Sequence, residues 1–234
     1  MKRKAAVAAL AVCVAGSTGF ATAAIAAEPA ESDAVIEFIQ PNDPVEVLDP
    51  ETLEEGDDPG DGGNVTGQEG PLTLDFVSHL DFGTHQISPA EAVYEATTNR
   101  PYVQVSDRRG TGEGWQLTAQ AGTFVSGEDE SLNGSVVTFT DGDAASNLNG
   151  LAPTVQPTVE LVSGGDAVDV ATASARVEGE ALNTAEGLGT WLVRWLNDDP
   201  DTTNEKVTLT VPEATATEGT HTSVLTWTLT SGPQ

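Results

Sequence analysis

The side chains that could do chemistry in this chain are few. Ser78, His79, Asp81 and His85 bring together the residue types of a hydrolytic triad or a zinc site within eight positions, and His221 stands alone near the other end. Groups so close in sequence sit along one strand edge, whereas a triad or tetrahedral metal site gathers ligands from separate elements, so neither role is expected. Acidic turns at Glu128-Asp129-Glu130, Asp141-Gly142-Asp143 and Asp198-Asp199-Pro200-Asp201 offer hard oxygen ligands. None follows a twelve-residue calcium loop: the alternate position after Asp141 and Asp143 is Ala145. Carboxylate pairs for glycoside cleavage occur by chance in so acidic a chain and carry no information. There is no phosphate-cradling glycine loop with a lysine and no dinucleotide fingerprint. The reading is of a non-enzymatic protein with no catalytic residue, no metal and no cofactor.

Charge narrows the partners. The 234 residues carry 37 acids against 9 basic residues, a formal net charge of −28. A surface of that sign repels phosphate backbones and anionic lipid, which argues against nucleic-acid binding and membrane association. The adjacent cations Arg108 and Arg109, on the glycine-rich run Asp107 to Gly114, are the exception. They read either as a solvated loop pair or as a local anion site for stem-peptide carboxylates or an acidic partner patch. Long polyanions such as teichoic acids are disfavoured by the net repulsion.

The elements that would position these groups are short and alternating. Segments 72–77, 102–106, 115–119, 135–140, 158–162, 189–196, 206–211 and 223–230 are rich in Val, Thr and aromatics and are separated by Gly, Asn, Asp and Pro. No long 3.6-residue stripe is present; 171–188 has helix-compatible composition but is interrupted by Gly179 and Gly187. Many strands with turn punctuation predict an all-β domain, an antiparallel β-sandwich or jelly roll. In the last strand Leu225, Trp227 and Leu229 share one face, and Val224, Thr226, Thr228 and Thr230 the other. Trp191, Val193 and Trp195 likewise share a face opposite Leu192, Arg194 and Leu196, so Arg194 needs a carboxylate or carbonyl partner.

Ahead of this domain the first 27 residues have the three parts of a secretory signal: Lys2-Arg3-Lys4, an apolar run from Ala5 to Gly16, and the small residues Ala24-Ile25-Ala26-Ala27. The apolar run is too short and alanine-rich to span a bilayer, so no membrane insertion is expected after cleavage. Val12 ahead of Cys13, the chain's one cysteine, argues against lipidation, and cleavage leaves a mature chain without thiols. Residues 28–64 carry 13 acids, five prolines and no Lys or Arg. That composition predicts a disordered, self-repelling linker, with Val35-Ile36-Glu37-Phe38-Ile39 as a possible short docking strand.

The triplet Trp115-Gln116-Leu117 recurs as Trp227-Thr228-Leu229. Together with Leu80 to Pro89, the Asp-Arg-Arg-Gly-Thr-Gly-x-Gly-Trp-x-Leu stretch, Gly189-Thr190-Trp191 and Val207 to Pro212, these motifs resemble, in order and position, the WxL-domain surface proteins of Gram-positive bacteria. The resemblance covers roughly residues 65–234. It implies a secreted protein held non-covalently on the cell wall, on peptidoglycan, and co-assembling with companion surface proteins of the same loci. Only residues 28–64 fill the place where many members carry a binding region, so a small assembly subunit is expected. The alternative is a structural or adhesive β-sandwich subunit whose main ligand is a protein or host matrix. Within the motif, Trp115, Leu117, Trp227 and Leu229 are either core or an aromatic platform for sugar rings; the aliphatic neighbour favours the core.

Overall fold

The computed structural model describes residues 30–56, 60–199 and 201–232; the expected signal peptide and Cys13 lie outside the described residues. Two units are distinguished, divided between Phe38 and Ile39. In the first, the described residues 30–38 form no regular structure, and Val35, Ile36 and Phe38 are exposed.

The second unit is all-β and antiparallel, as alternation and turn residues predict. Its strands are β1 (Gly63–Val65), β2 (Leu72–Ser78), β3 (Ala92–Ala96), β4 (Tyr102–Asp107), β5 (Trp115–Ala121), β6 (Val125–Ser126), β7 (Asp129–Glu130) and β8 (Val136–Thr140). They continue with β9 (Asp143–Ala145), β10 (Thr154–Val155), β11 (Thr158–Val162), β12 (Val168–Ala173), β13 (Gly189–Arg194), β14 (Asn204–Val211) and β15 (Leu225–Ser231). One sheet has the order β1-β2-β4-β13-β9, a second β10-β12-β5-β15, a third β11-β8-β14-β3, and β6-β7 form a hairpin. Residues 171–188, helix-compatible by composition, instead finish β12 and contain only a 3-10 turn at Leu182–Thr184. Gly179, at φ 88°, stands where a helix would have to continue.

All three large sheets feed one core. Val103 and Val105 come from the first, Trp115, Leu117 and Ala171 from the second, and Val137, Phe139, Val159 and Val207 from the third. Within the first sheet a bulge in β2 decides which side chains reach that core. Leu74 faces Val105, but the next pairing is Phe76 with Gln104, so Asp75 is the extra residue. The insertion reverses the alternation and sends Phe76 to the opposite face of the sheet, where it stacks on Tyr102 at 4.6 Å between ring centroids.

That outer face is covered by part of the acidic segment, which corrects the expectation of a free spacer through Asn64. Val47 and Leu48 are buried against Phe76, Tyr102 and Leu192. The Gln104 side chain makes the backbone pairing a neighbouring strand would make. Its Oε1 accepts from Leu48 N at 2.9 Å, and its Nε2 donates to Glu46 O at 3.0 Å. Tyr102 Oη donates to Leu48 O at 3.0 Å, and Arg194 donates to Pro50 O while pairing with Asp143, the partners its place in β13 demands. The apolar pair at 47–48 is therefore a docking segment of this unit.

Under this strap lies Asp75, 3% exposed. Its carboxylate accepts from Thr73 Oγ1 at 2.6 Å, Ser106 Oγ at 2.6 Å and Gln104 Nε2 at 3.1 Å. Burial raises its pKa above the ordinary carboxylate value, against the opposing pull of those hydrogen bonds and of the Arg108 charge. Between the ordinary and the raised value the folded chain holds a proton that the unfolded chain has released. Asp75 therefore favours folding at the acid end of that window, its contribution falls as pH rises through it, and above it the cost is constant. Denaturant unfolding of the wild type and Asp75→Asn from about pH 4 to 7 checks this. The stability of the wild type relative to the variant is expected to fall with rising pH and then level off; a pH-independent difference would refute it.

Candidate functional site

The two Trp-x-Leu triplets are neighbours in the second sheet, and their pairing is set by the leucines. Strands β5 and β15 run antiparallel with Leu117 opposite Leu229, Trp227 opposite Ala119 and Trp115 opposite Ser231. The indoles therefore point to the same face from either side of a leucine pair. Each large ring has a small residue across from it, which gives it room.

Their environments differ. Trp115 is 0% exposed, and its Nε1 donates to Gly187 O at 3.0 Å, so both its apolar body and its polar tip are satisfied in the core. Trp227 is half-buried and joins an aromatic cluster, 6.0 Å from Phe139 with edge geometry and 6.3 Å from Trp195. Leu225 and Leu229 are half-buried beside it, while Thr226 and Thr228 face solvent. The alternation read from the sequence holds here, although β15 is an edge strand and buries its apolar face only in part.

The loop between β4 and β5 is the densest polar structure nearby. Arg109 donates to Asp107 through Nε at 2.9 Å and Nη2 at 2.7 Å, to Gly114 O at 2.6 Å and to Glu113 at 3.3 Å, and also reaches the Ser231 hydroxyl. The Asp107 and Arg109 side chains are 0% and 7% exposed. The hydrogen bond to Asp107 is the main reason the guanidinium holds its proton more tightly than usual, with burial opposing. Arg109 is thus a buried clamp tying β4, the loop and β15 together, and the expectation of a solvated or anion-binding Arg108-Arg109 pair does not describe it. Arg108 points the other way and donates to Asp43 O and, at 2.9 Å, to Gly70 O, which fixes the start of the acidic strap.

Glycine geometry sets the backbone path around Trp115 at two places, one in this loop and one just before β13. At Gly114, φ is +72°, and a Cβ would lie 2.2 Å from Ala173 O on β12. At Gly187, φ is +67°, and a Cβ would lie 2.5 Å from the Trp115 Nε1. Only glycine permits both the left-handed backbone and the close approach.

The histidines and their neighbours do not converge. His79, Asp81 and His85 are exposed; Asp81 caps Gly83 N, and His85 lies on Tyr94 with ring centroids 4.3 Å apart. Ser78 Oγ accepts from Tyr102 N, and His221 is bonded to Ser131 Oγ and Thr217 O. Among the described residues no three His, Cys, Asp or Glu side chains are placed to hold a metal ion, and no helix is long and apolar enough to cross a membrane.

Fold and motif geometry define an all-β domain centred on a leucine-paired couple of Trp-x-Leu strands. The family model for the WxL domain, described as surface cell wall-binding, matches residues 25–233, and the chain belongs to that family. It is a cell-surface protein carrying a wall-binding domain, located at the cell wall or surface. No curated protein and no solved structure matches the chain.

Proposed function

We propose that the protein is held non-covalently on peptidoglycan by its WxL domain, acts without catalysis and serves as a subunit of a multi-protein surface assembly with companion proteins of WxL loci. The match of the wall-binding family over residues 25–233 carries this reading. The geometry supports it: the described histidines and acids are spent on turns and strand ends, while the motif tryptophans are spent on a scaffold. The domains proposed are a signal peptide over 1–27, an acidic segment over 28–64 whose later part straps the first sheet, and the wall-binding domain over 65–234. Trp115, Leu117, Trp227 and Leu229 shape the binding surface from within.

Co-sedimentation of the full mature chain with purified peptidoglycan stripped of teichoic acid tests this. The protein is expected in the pellet without any companion protein present. It is expected back in the supernatant after denaturant, since no covalent link forms. If it stays in the supernatant with peptidoglycan yet pellets with an immobilised companion protein, wall attachment is indirect and the reading fails. A Trp227→Ala variant is expected to stay folded by circular dichroism, because its indole is only half-buried.

A further inference from the structure

The walls of an open cleft of about 580 Å³ leave the second sheet at one point. Trp115 and Ala173 are direct partners across the β5–β12 ladder. The loop entering β5 supplies Gly110 to Glu113, and the chain leaving β12 supplies Ala175, Arg176, Glu178 and Leu182. The two walls are tied by Arg176 N donating to Gly112 O at 2.9 Å and Arg176 Nε donating to Thr111 O at 3.2 Å. Gly112, with φ +69°, leaves space that a Cβ would take: the Arg176 Cδ and the Leu182 Cδ1 would each lie 3.0 Å from it. Behind this, the Trp115 indole holds Gly187, just past the 3-10 turn that carries Leu182. The cleft is thus built directly on the first Trp-x-Leu motif.

Arg176 is unusual in its company. Arg100, Arg109, Arg194 and Lys206 each pair with at least one carboxylate, and Arg108, which like Arg176 is bonded to main-chain carbonyls, is half-buried between Asp43 O and Gly70 O. Arg176 is exposed, and its guanidinium is bonded to main-chain carbonyls, Thr111 O and Glu180 O; among the described residues no ion pair is formed by it. A chain of net charge −28 has acids to spare, so a solvent-facing guanidinium held in place without one is a preset anion acceptor. Leu182, 40% exposed, gives the cleft an apolar patch beside the cation. Glu113 and Glu178 on the rim repel multiply charged anions and leave room for a single negative group.

We propose that this cleft binds a single carboxylate on an otherwise neutral peptide or saccharide, with Arg176 as its anchor. The inference rests on the wall-binding reading, since a stem-peptide carboxylate and a uronic acid are two sources of that chemistry in a cell envelope. The test is calorimetric titration of the full mature chain with a muramoyl dipeptide bearing one free carboxylate, the same compound amidated, and a uronic acid monosaccharide. The free acid is expected to bind, amidation to weaken binding about tenfold or more, and Arg176→Gln to weaken the acid to the level of the amide. Arg176→Lys is expected to fall between. Whichever of the dipeptide and the uronic acid binds more tightly identifies the source. Equal binding of acid and amide by the wild type, equal binding of the acid by wild type and Arg176→Gln, or no binding of either carboxylate overturns the proposal. The acid and amide comparison needs no variant. Continued co-sedimentation with whole peptidoglycan in such a case would leave wall attachment standing and place it elsewhere on the domain.

Discussion

Trp115→Ala is expected to destabilise the domain by about 3–5 kcal/mol, the cost of emptying a fully buried indole site. For a unit of this size that is a fall in Tm of roughly 6–20 °C. The side chain is 0% exposed, faces Ser231 and Ala173 across its two ladders, and supplies the donor for Gly187 O. Its removal therefore leaves a cavity and an unpaired carbonyl together, and frees the loop that carries the cleft. Trp227→Ala removes the same chemical group from a half-exposed edge position, and no more than about half the loss is expected, because less apolar area returns to water. Thermal unfolding of both variants measures the contrast. Equal losses would mean that the second indole is as deeply committed to the core as the first.

The difference between these two tryptophans marks a limit on what the sequence discloses. Alternation in Leu225 to Thr230 indicates which side chains share a face, and that reading holds. Alternation is silent on whether a strand is central or at an edge, and that alone separates Trp115 in β5, flanked by β12 and β15, from Trp227. The acidic strap is a second case. Two apolar residues, Val47 and Leu48, amid acids and prolines are too few to signal packing by composition. The informative residues lay in the partner strand: Tyr102, Gln104 and Ser106 alternate with Val103 and Val105, and a strand with one polar face buried needs a polar cover. Gln104 supplies both a donor and an acceptor to the strap backbone, which is how a segment with little apolar surface is held at all. The strands at 158–162 and 206–211 were legible because each alternates cleanly, and 72–77 was legible as a strand although its bulge at Asp75, which moves Phe76 to the other face, was not; β3 and β12 are rich in alanine, which has low strand preference.

The Asp107–Arg109 pair is expected to be the other costly place to cut. With both side chains shielded from solvent, neither charge can be replaced by hydration when its partner is lost. Asp107→Ala leaves a buried guanidinium with Gly114 O, the Ser231 hydroxyl and the rim carboxylate of Glu113 as its remaining partners, and a loss of about 3–5 kcal/mol is expected. Arg109→Met leaves the Asp107 carboxylate buried and uncompensated, with a loss of the same order. The double variant Asp107→Ala/Arg109→Met is expected to be more stable than the sum of the two losses predicts, since neither charge is stranded. Denaturant midpoints of the four proteins complete the cycle, and additive losses would show that the two side chains act independently. The cycle also bears on why adjacent arginines in so acidic a chain do not form one site. Asp107 lies two residues before Arg109 and turns it inward, where it ties β4 to β15, while Arg108 turns to the strap. The chain's most conspicuous pair of cations is consumed in holding the sheets and their cover together, and the cation left for a ligand is the isolated Arg176.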